Sequence, residues 1–267
     1  MVKEPVFYSV IIGTELLNGR RGDSHFTFLN KTLVRRGWEH KANFVVKDDV
    51  TLLENLYMLI QKDPRAVMFS FGGIGSTPDD FTREVAAKAF TGKGLVRHKE
   101  AEEIILQRLG ERAYPHPIKI ADLPEGAKLI ENPVNKMPGF QLEDRFFFVP
   151  GFPQMAHPMI EEVLDRIYPK NREKYSCNFV VEGSEAMLID IMERLPEDLE
   201  LSCLPAFDGE KRTAEIYLAD IDQAKLEKWC TFFKEELHKI CLRATPVIGG
   251  THNDICECKI VQEIYES

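Results

Sequence analysis

Cysteine is missing from the first two thirds of the chain, because all six cysteines lie between residues 177 and 258. So few cysteines in 267 residues do not form the pattern of a disulfide framework, so we expect a reducing, cytoplasmic location.

Long apolar runs are also absent. No stretch approaches the 18 or so residues of a membrane span, and the amino end does not read as a signal peptide. We therefore expect no membrane partner.

The chain also lacks an excess of basic residues. It has 34 Lys and Arg against 43 Asp and Glu, a net charge of −9 and a pI near 5.4. A nucleic-acid surface normally carries a basic stripe, so we expect no nucleic-acid partner. A nucleotide is still allowed, because backbone N–H groups and a metal ion can bind its phosphates.

The first part of the chain alternates between strand and helix patterns. Apolar runs at residues 6–12, 42–46 and 66–71 predict buried parallel strands. Amphipathic stretches from Ser24 and from the capping box Thr51-x-x-Glu54 predict the helices between them. Short strands at 128–130 and 145–149, in a hairpin-like excursion, and a helix over 155–168 follow. This order predicts a mostly parallel sheet with helices on both faces, a three-layer α/β/α domain over residues 1–170.

The last third has a different order of elements. Its patterns predict strand, helix, strand, strand and helix over residues 175–242, which either stop short of a final strand or end in one near Val247 or Ile260. That is the order of a ferredoxin-like fold. We therefore predict a small α+β domain over residues 175–267 after a polar linker.

The central feature is the stretch from Gly72 to Thr82, where a glycine-rich turn links a strand to a helical pattern. Such a turn aims backbone N–H groups at an anion. Two acids, Asp79 and Asp80, follow it. The simple interpretation is helix capping, which needs only one acid.

A phosphate at this turn would meet the acid pair at short range. Two like unit charges about 5 Å apart repel by roughly 3 kcal/mol at an effective dielectric of about 20. The helix dipole stabilises an anion at the N-terminus by only about 0.3–1 kcal/mol. The pair therefore indicates either no phosphate or a phosphate with a divalent cation between it and the carboxylates.

The residues from Gly72 to Thr82 resemble the glycine-rich signature of the MoaB/Mog molybdopterin-binding domain, and more narrowly the amino-terminal domain of the CinA family (competence/damage-inducible protein A). Further motifs agree in order over about 150 residues: Ile12–Gly19, Leu123–Ala127, Pro138–Phe140 and Val149–Pro153. The family commonly has asparagine near Ser24 or His25 and proline at Ser76, and this chain departs from both. Many CinA chains continue into a nicotinamide-nucleotide deamidase domain, an activity that is not expected of this shorter sequence.

The resemblance implies a site for a pyrophosphate-bearing compound. It implies Asp79 and Asp80 as catalytic residues that hold Mg²⁺ or a similar divalent cation. The remaining candidates would bind the ligand or its phosphates: Gly13, Thr14, Glu15, Gly72, Gly73, Gly75, Ser76, Thr77, Thr82, Gly151 and Pro153. Arg20 and Arg21 are either phosphate clamps or solvated arginines. For Thr82 and Glu15, the alternatives are an ordinary helix residue and a solvated turn residue.

Three functions remain open at this point. The CinA resemblance implies metal-dependent hydrolysis of a nucleotide diphosphate such as ADP-ribose. The Mog branch implies molybdopterin as ligand and adenylyl transfer in molybdenum cofactor biosynthesis. A non-catalytic nucleotide-sensing module is the third. The family also implies a homo-oligomer. The spacing of His252, Cys256 and Cys258 lacks the paired units of a structural zinc site, so we expect an ordinary tail.

Overall fold

The computed structural model describes residues 2–170, 174–208, 211–240, 242 and 244–246, and these divide into two compact units on either side of residue 171. The predictions for Val247, Ile260 and the His252–Cys258 tail lie outside the described residues. Among the described residues, no helix is both long and apolar enough to span a membrane.

The described residues of the first unit form eight strands and six α-helices. The strands are β1 (Val6–Ile12), β2 (Glu39–Val46), β3 (Ala66–Phe71), β4 (Leu95–Arg97), β5 (Asp122–Pro124), β6 (Lys128–Ile130), β7 (Gly139–Leu142) and β8 (Phe146–Val149). The helices are α1 (Thr14–Leu17), α2 (His25–Arg35), α3 (Val50–Gln61), α4 (Thr82–Ala86), α5 (Lys99–Leu109) and α6 (Pro153–Ile167). A π-helical turn over Ala87–Thr91 continues α4.

Six of these strands form one mixed sheet in the order β2-β1-β3-β8-β7-β6. The neighbours β2, β1, β3 and β8 are parallel, whereas β7 and β6 are antiparallel additions. Strands β4 and β5 form a separate antiparallel pair. The predicted mostly parallel sheet is confirmed. The predicted hairpin-like excursion is wrong in detail, because β7 lies between β6 and β8.

Both faces of this sheet are covered because its strands are apolar on both sides. In β1, Val6, Tyr8, Val10 and Ile12 belong to the core shared with α3, α4 and α5. Phe7 and Ile11 belong to the opposite core, shared with α2 and α6. Alternate side chains of a strand point to opposite faces, so a continuous apolar run fills both layers. The expected three-layer α/β/α arrangement is confirmed.

Local signals place the helix ends close to the predicted positions, with one exception. Helix α3 begins at Val50 and its N-cap is Asp49, whose carboxylate accepts a hydrogen bond from the Leu52 N–H at 2.8 Å. The predicted capping box on Thr51 is therefore wrong. Asp49 comes first after the strand and already satisfies the free N–H of the first turn.

The second unit has a helix-covered antiparallel sheet. Its described elements are β9 (Tyr175–Glu182), α7 (Ile189–Met192), β10 (Glu200–Asp208), β11 (Lys211–Asp220), α8 (Gln223–Lys239) and β12 (Ala244–Pro246). The strand order is β10-β11-β9-β12, and every neighbouring pair is antiparallel. This order and direction confirm the predicted ferredoxin-like fold.

Candidate functional site

The carboxyl ends of four adjacent parallel strands meet at one edge of the large sheet. Gly13 follows β1 and donates its N–H to Val46 O at 3.0 Å, and Gly72 follows β3 and donates to Val149 O at 2.9 Å. Ligands of parallel sheets bind beyond this edge. The structure thus brings the predicted segments around Gly13, Gly72 and Gly151 to the same edge.

Gly72 occupies a position that a residue with a side chain can take only with strain. Its φ is +98°, and a Cβ there would lie 2.7 Å from the carbonyl oxygen of Ile12. Gly151 approaches from the next loop, where a Cβ would lie 3.3 Å from the Cα of Gly72. The first glycine of the loop is therefore held between two neighbouring chain segments.

Two hydroxyl side chains of the glycine loop (Gly72 to Thr82) already have partners inside it. The buried Thr82 donates its hydroxyl to Gly72 O at 3.0 Å. Asp80 Oδ2 accepts from the Thr77 N–H at 2.8 Å and from the Thr77 hydroxyl at 2.5 Å. Thr77 and Thr82, which were predicted to contact the ligand, therefore stabilise the conformation of the loop.

Four consecutive backbone amides of the loop lack such partners. Among the described residues, the N–H groups of Gly73, Ile74, Gly75 and Ser76 have no hydrogen-bond acceptor. Consecutive free N–H groups in a turn form a partial positive charge that attracts an anion. Three of these residues are among the predicted phosphate contacts.

The two acids differ in their surroundings. Helix α4 begins only at Thr82, so Asp79 and Asp80 precede it, and no side chain caps its first turn. Asp79 is exposed, and the nearby Thr77 side chain and its own N–H keep the pKa of Asp79 below its usual value. Asp80 is half-buried and holds Thr77. The described part of the chain has no group of three His, Cys, Asp or Glu arranged to hold a metal.

Sequence reasoning missed Asp48, which follows β2 at the same edge. Its Oδ2 accepts from the Thr14 N–H at 2.9 Å and the Thr14 hydroxyl at 2.8 Å. Thr14, a predicted ligand contact, is thus fixed by a carboxylate. The rule that ligands bind beyond the ends of parallel strands would have found Asp48, since it lies two residues after Val46.

A cavity of about 270 Å³ adjoins the loop. Its lining includes the predicted residues Glu15, Gly151 and Pro153, together with Arg21 and the unpredicted His25. Glu15 and Arg21 form an ion pair at 3.8 Å. The exposed Arg20 instead bonds to Asn18, and it is not part of the lining.

His25 is the most buried polar residue of this cavity, at 5% exposure. Its Nε2 lies 3.2 Å from Gly151 O, and its ring packs on Phe71 with centroids 4.4 Å apart. Since a carbonyl only accepts, Nε2 carries the proton. Burial lowers the pKa of His25, so the imidazole is neutral near pH 7. No sequence signal indicated this contact, because the partners are 126 residues apart.

Comparisons with known proteins agree with this geometry. Residues 9–169 match the family described as "Probable molybdopterin binding domain". A CinA-like protein of Acaryochloris marina is 36% identical over 160 residues, which cover 57% of this chain and 38% of the relative. The crystal structure of the protein CinA from Thermoplasma acidophilum, of unknown function, aligns with a TM-score of 0.55 and 27% identity, covering 60% of this chain and 98% of that one.

The chain belongs to the CinA family. Its first unit is the MoaB/Mog-like domain of that family, which confirms the resemblance. A protein of Archaeoglobus fulgidus is 27% identical over 235 residues, covering 87% of this CinA-family chain and 98% of the relative. By contrast, the match to the Acaryochloris CinA-like protein spans 38% of that protein's length, less than two thirds of it.

Proposed function

We propose that this CinA-family chain binds the diphosphate group of a nucleotide at the glycine loop and hydrolyses it with a divalent cation. The observation that carries the proposal is the row of free amides from Gly73 to Ser76. Amides fixed in a turn bind non-bridging phosphate oxygens without reorganising, which is the condition for stabilising charge as a P–O bond breaks.

The carboxylates beside the loop fit a cation that arrives with the substrate. Asp79 is exposed and Asp80 commits one oxygen to Thr77, so one carboxylate and part of another are available. Mg²⁺ is usually held by one or two carboxylates together with substrate phosphates, and not by a full protein cage. Asp79 and Asp80 would hold the ion. It would polarise the phosphoryl group and lower the pKa of a bound water.

Two hydrogen bonds within the loop leave its N–H groups available to an anion. The Thr82 hydroxyl engages the Gly72 carbonyl, so this acceptor is satisfied within the protein. Asp80 satisfies the Thr77 N–H and fixes the bend after Ser76. Both contacts favour a conformation in which N–H groups, and not carbonyl oxygens, meet the phosphates.

The direct test is release of AMP from ADP-ribose with Mg²⁺ and with EDTA. We expect turnover only with the metal, and a loss of about 100-fold or more in Asp79→Asn. Glu103→Gln is the matched control, because it also removes an exposed acid of the first unit. Full activity of Asp79→Asn and Asp80→Asn, or no turnover of any diphosphate, would overturn the proposal.

Molybdopterin binding, with adenylyl transfer, is the second candidate. The description of the matching family supports it, and the same amides would bind the phosphate of the pterin. A fluorescent pterin that co-purifies with the protein would favour this function over hydrolysis. Tight nucleotide binding without metal dependence or turnover would instead select a sensing module.

A further inference from the structure

Helix α3 carries apolar side chains on the side that faces away from the sheet. Its inner side packs into the core of the first unit, whereas Leu52, Met58 and Leu59 are 47%, 44% and 58% exposed. Helix α5 packs on the same core, and its exposed positions are all polar or charged: Lys99, Glu100, Glu103, Gln107 and Arg108. A helix with one side in water normally resembles α5, so the outer side of α3 is a surface that a partner would cover.

The exposed residues of α3 form one stripe along the helix, called here the outer stripe. Successive residues of an α-helix are about 100° apart, so six of its exposed residues fall within about 120° of one another: Thr51, Leu52, Asn55, Met58, Leu59 and Lys62. Asn55 lies at the middle of the outer stripe, both along the helix and around it. The outer stripe thus has a polar centre with apolar residues on either side.

This arrangement is complementary to itself when two copies of α3 pack antiparallel. Leu52 precedes Asn55 by three residues and Leu59 follows it by four, on the same side of the outer stripe. A two-fold axis through Asn55 therefore places Leu52 opposite Leu59 of the second copy. On the other side of the outer stripe, Met58 meets Thr51 of the second copy in the same way. The two Asn55 amides meet on the axis, where each has a donor and an acceptor for the other. Such an isologous contact closes at two copies.

The two ends of α3 carry opposite charges. Asp48 and the exposed N-cap Asp49 lie at its N-terminal end. Lys62, the C-cap, and Arg65 lie at the other end, and both are exposed without an ion-pair partner among the described residues. In an antiparallel pair the acidic end of each helix meets the basic end of the other, whereas a parallel pair would bring like charges together. The charges thus favour a second copy of this chain, in the antiparallel orientation.

We propose that the outer stripe of α3 is a self-association surface, on which a second copy of the chain packs its own α3 antiparallel about a two-fold axis at Asn55. The family resemblance implies a homo-oligomer but does not say which surface forms it. The 12 residues of α3 make a helix about 18 Å long. One pair of such helices covers less than the about 800 Å² per partner of a stable complex. The dimer should therefore be weak and should form reversibly as the protein concentration rises.

Sedimentation velocity of the full chain between about 1 and 500 μM tests the proposal. Leu59→Glu should raise the Kd of the dimer by about 100-fold, because two apolar contacts are lost and each carboxylate faces Leu52 of the other copy. The double variant Leu52→Lys with Leu59→Glu should associate more tightly than either single variant, because each lysine then faces a glutamate of the other copy. Since both leucines are about half exposed and Lys and Glu are good helix formers, the variants should fold.

Val34→Glu is the matched control, because Val34 is an exposed apolar residue of α2, which covers the opposite face of the sheet. Cross-linking checks the position of the axis. On oxidation, Asn55→Cys should form a disulfide-linked dimer under conditions in which the native chain and Glu103→Cys do not. The proposal is overturned if the native chain stays monomeric over the whole range or if Leu59→Glu leaves association unchanged. A double variant that associates no more tightly than the single variants also overturns it, because the two positions then do not face each other.

Discussion

Replacing Gly72 by alanine tests whether the loop geometry depends on close approach of the backbone. The added Cβ would meet the Ile12 carbonyl oxygen at 2.7 Å, and both groups belong to backbone at the ends of adjacent strands. Neither can move without disturbing β1 or β3. The position also has a φ of +98°, which residues with a side chain rarely adopt.

The structure provides a control that separates these two penalties. Gly126 has a φ of +80°, and a Cβ there would meet nothing within 4 Å. Gly126→Ala should therefore show the conformational penalty alone, about 1–2 kcal/mol. Gly72→Ala should add an overpacking penalty of about 1–3 kcal/mol. We expect a total loss of about 2–5 kcal/mol, a large part of the stability of an ordinary domain.

The assay is urea unfolding followed by tryptophan fluorescence. The chain has two tryptophans, Trp38 in the first unit and Trp229 in the second. A Trp229→Phe background leaves Trp38, which packs on Phe7 and Tyr168, as the reporter of the first unit. The reasoning is refuted if the midpoint of Gly72→Ala falls no further than that of Gly126→Ala.

The remaining predictions concern the loop, the metal and pH. Thr82→Val should lower the free energy of unfolding by about 1–3 kcal/mol, because the buried Gly72 carbonyl loses its donor. Thr82→Ser keeps a hydroxyl donor and should lower it less. Urea unfolding midpoints measure both effects. Mg²⁺ alone should leave the melting temperature unchanged, whereas Mg²⁺ with the non-hydrolysable α,β-methylene analogue of ADP-ribose should raise it. A rise with the metal alone would indicate a resident site. Burial and the neighbouring His25 lower the pKa of His157 to about 4 from its usual 6.5. Between these two pKa values the unfolded chain binds more protons than the folded one, so the free energy of unfolding should fall as the pH drops from 6.5 to about 4. His157→Phe keeps the stacking on Phe28 and should make the urea midpoint less dependent on pH in this range. An unchanged dependence would contradict the prediction.

The sheet could be predicted because its signal is local. The run Val6–Ile12 is apolar at nearly every position, and the structure buries all seven residues. Strand β7 was missed because Pro138-Gly139 reads as a turn. Gly139 instead begins a buried strand, where a Cβ would lie 2.5 Å from the Phe148 carbonyl oxygen and 2.8 Å from the Met159 methyl group. The glycine is required for close approach, and its partners are distant in sequence.

The sequence predicted which segments meet at the candidate site, but not the contacts between them. Glycines after a strand indicate an anion loop, and the edge of a parallel sheet indicates where it lies. The hydrogen bond from His25 to Gly151 joins the first turn of α2 to the loop after β8, and these segments meet only when β1 and β8 are in the same sheet. The role of Asp48 likewise depends on the pairing of β1 with β2. Such contacts depend on the tertiary structure.

The acid pair is where the structure changes the argument most. From the sequence alone, Asp79 and Asp80 are two equivalent negative charges. Both would repel a phosphate, and only a cation would offset that repulsion. The structure gives Asp80 a partner within the loop and leaves Asp79 exposed. An exposed carboxylate about 5 Å from a phosphate would still repel it by roughly 3 kcal/mol at an effective dielectric of about 20. Under the proposed function, the cation would therefore be needed only when the anion is bound, so metal and ligand should bind together. The two acids should then separate experimentally: Asp79→Asn should lose the metal dependence of binding at unchanged stability, whereas Asp80→Asn should also loosen the loop.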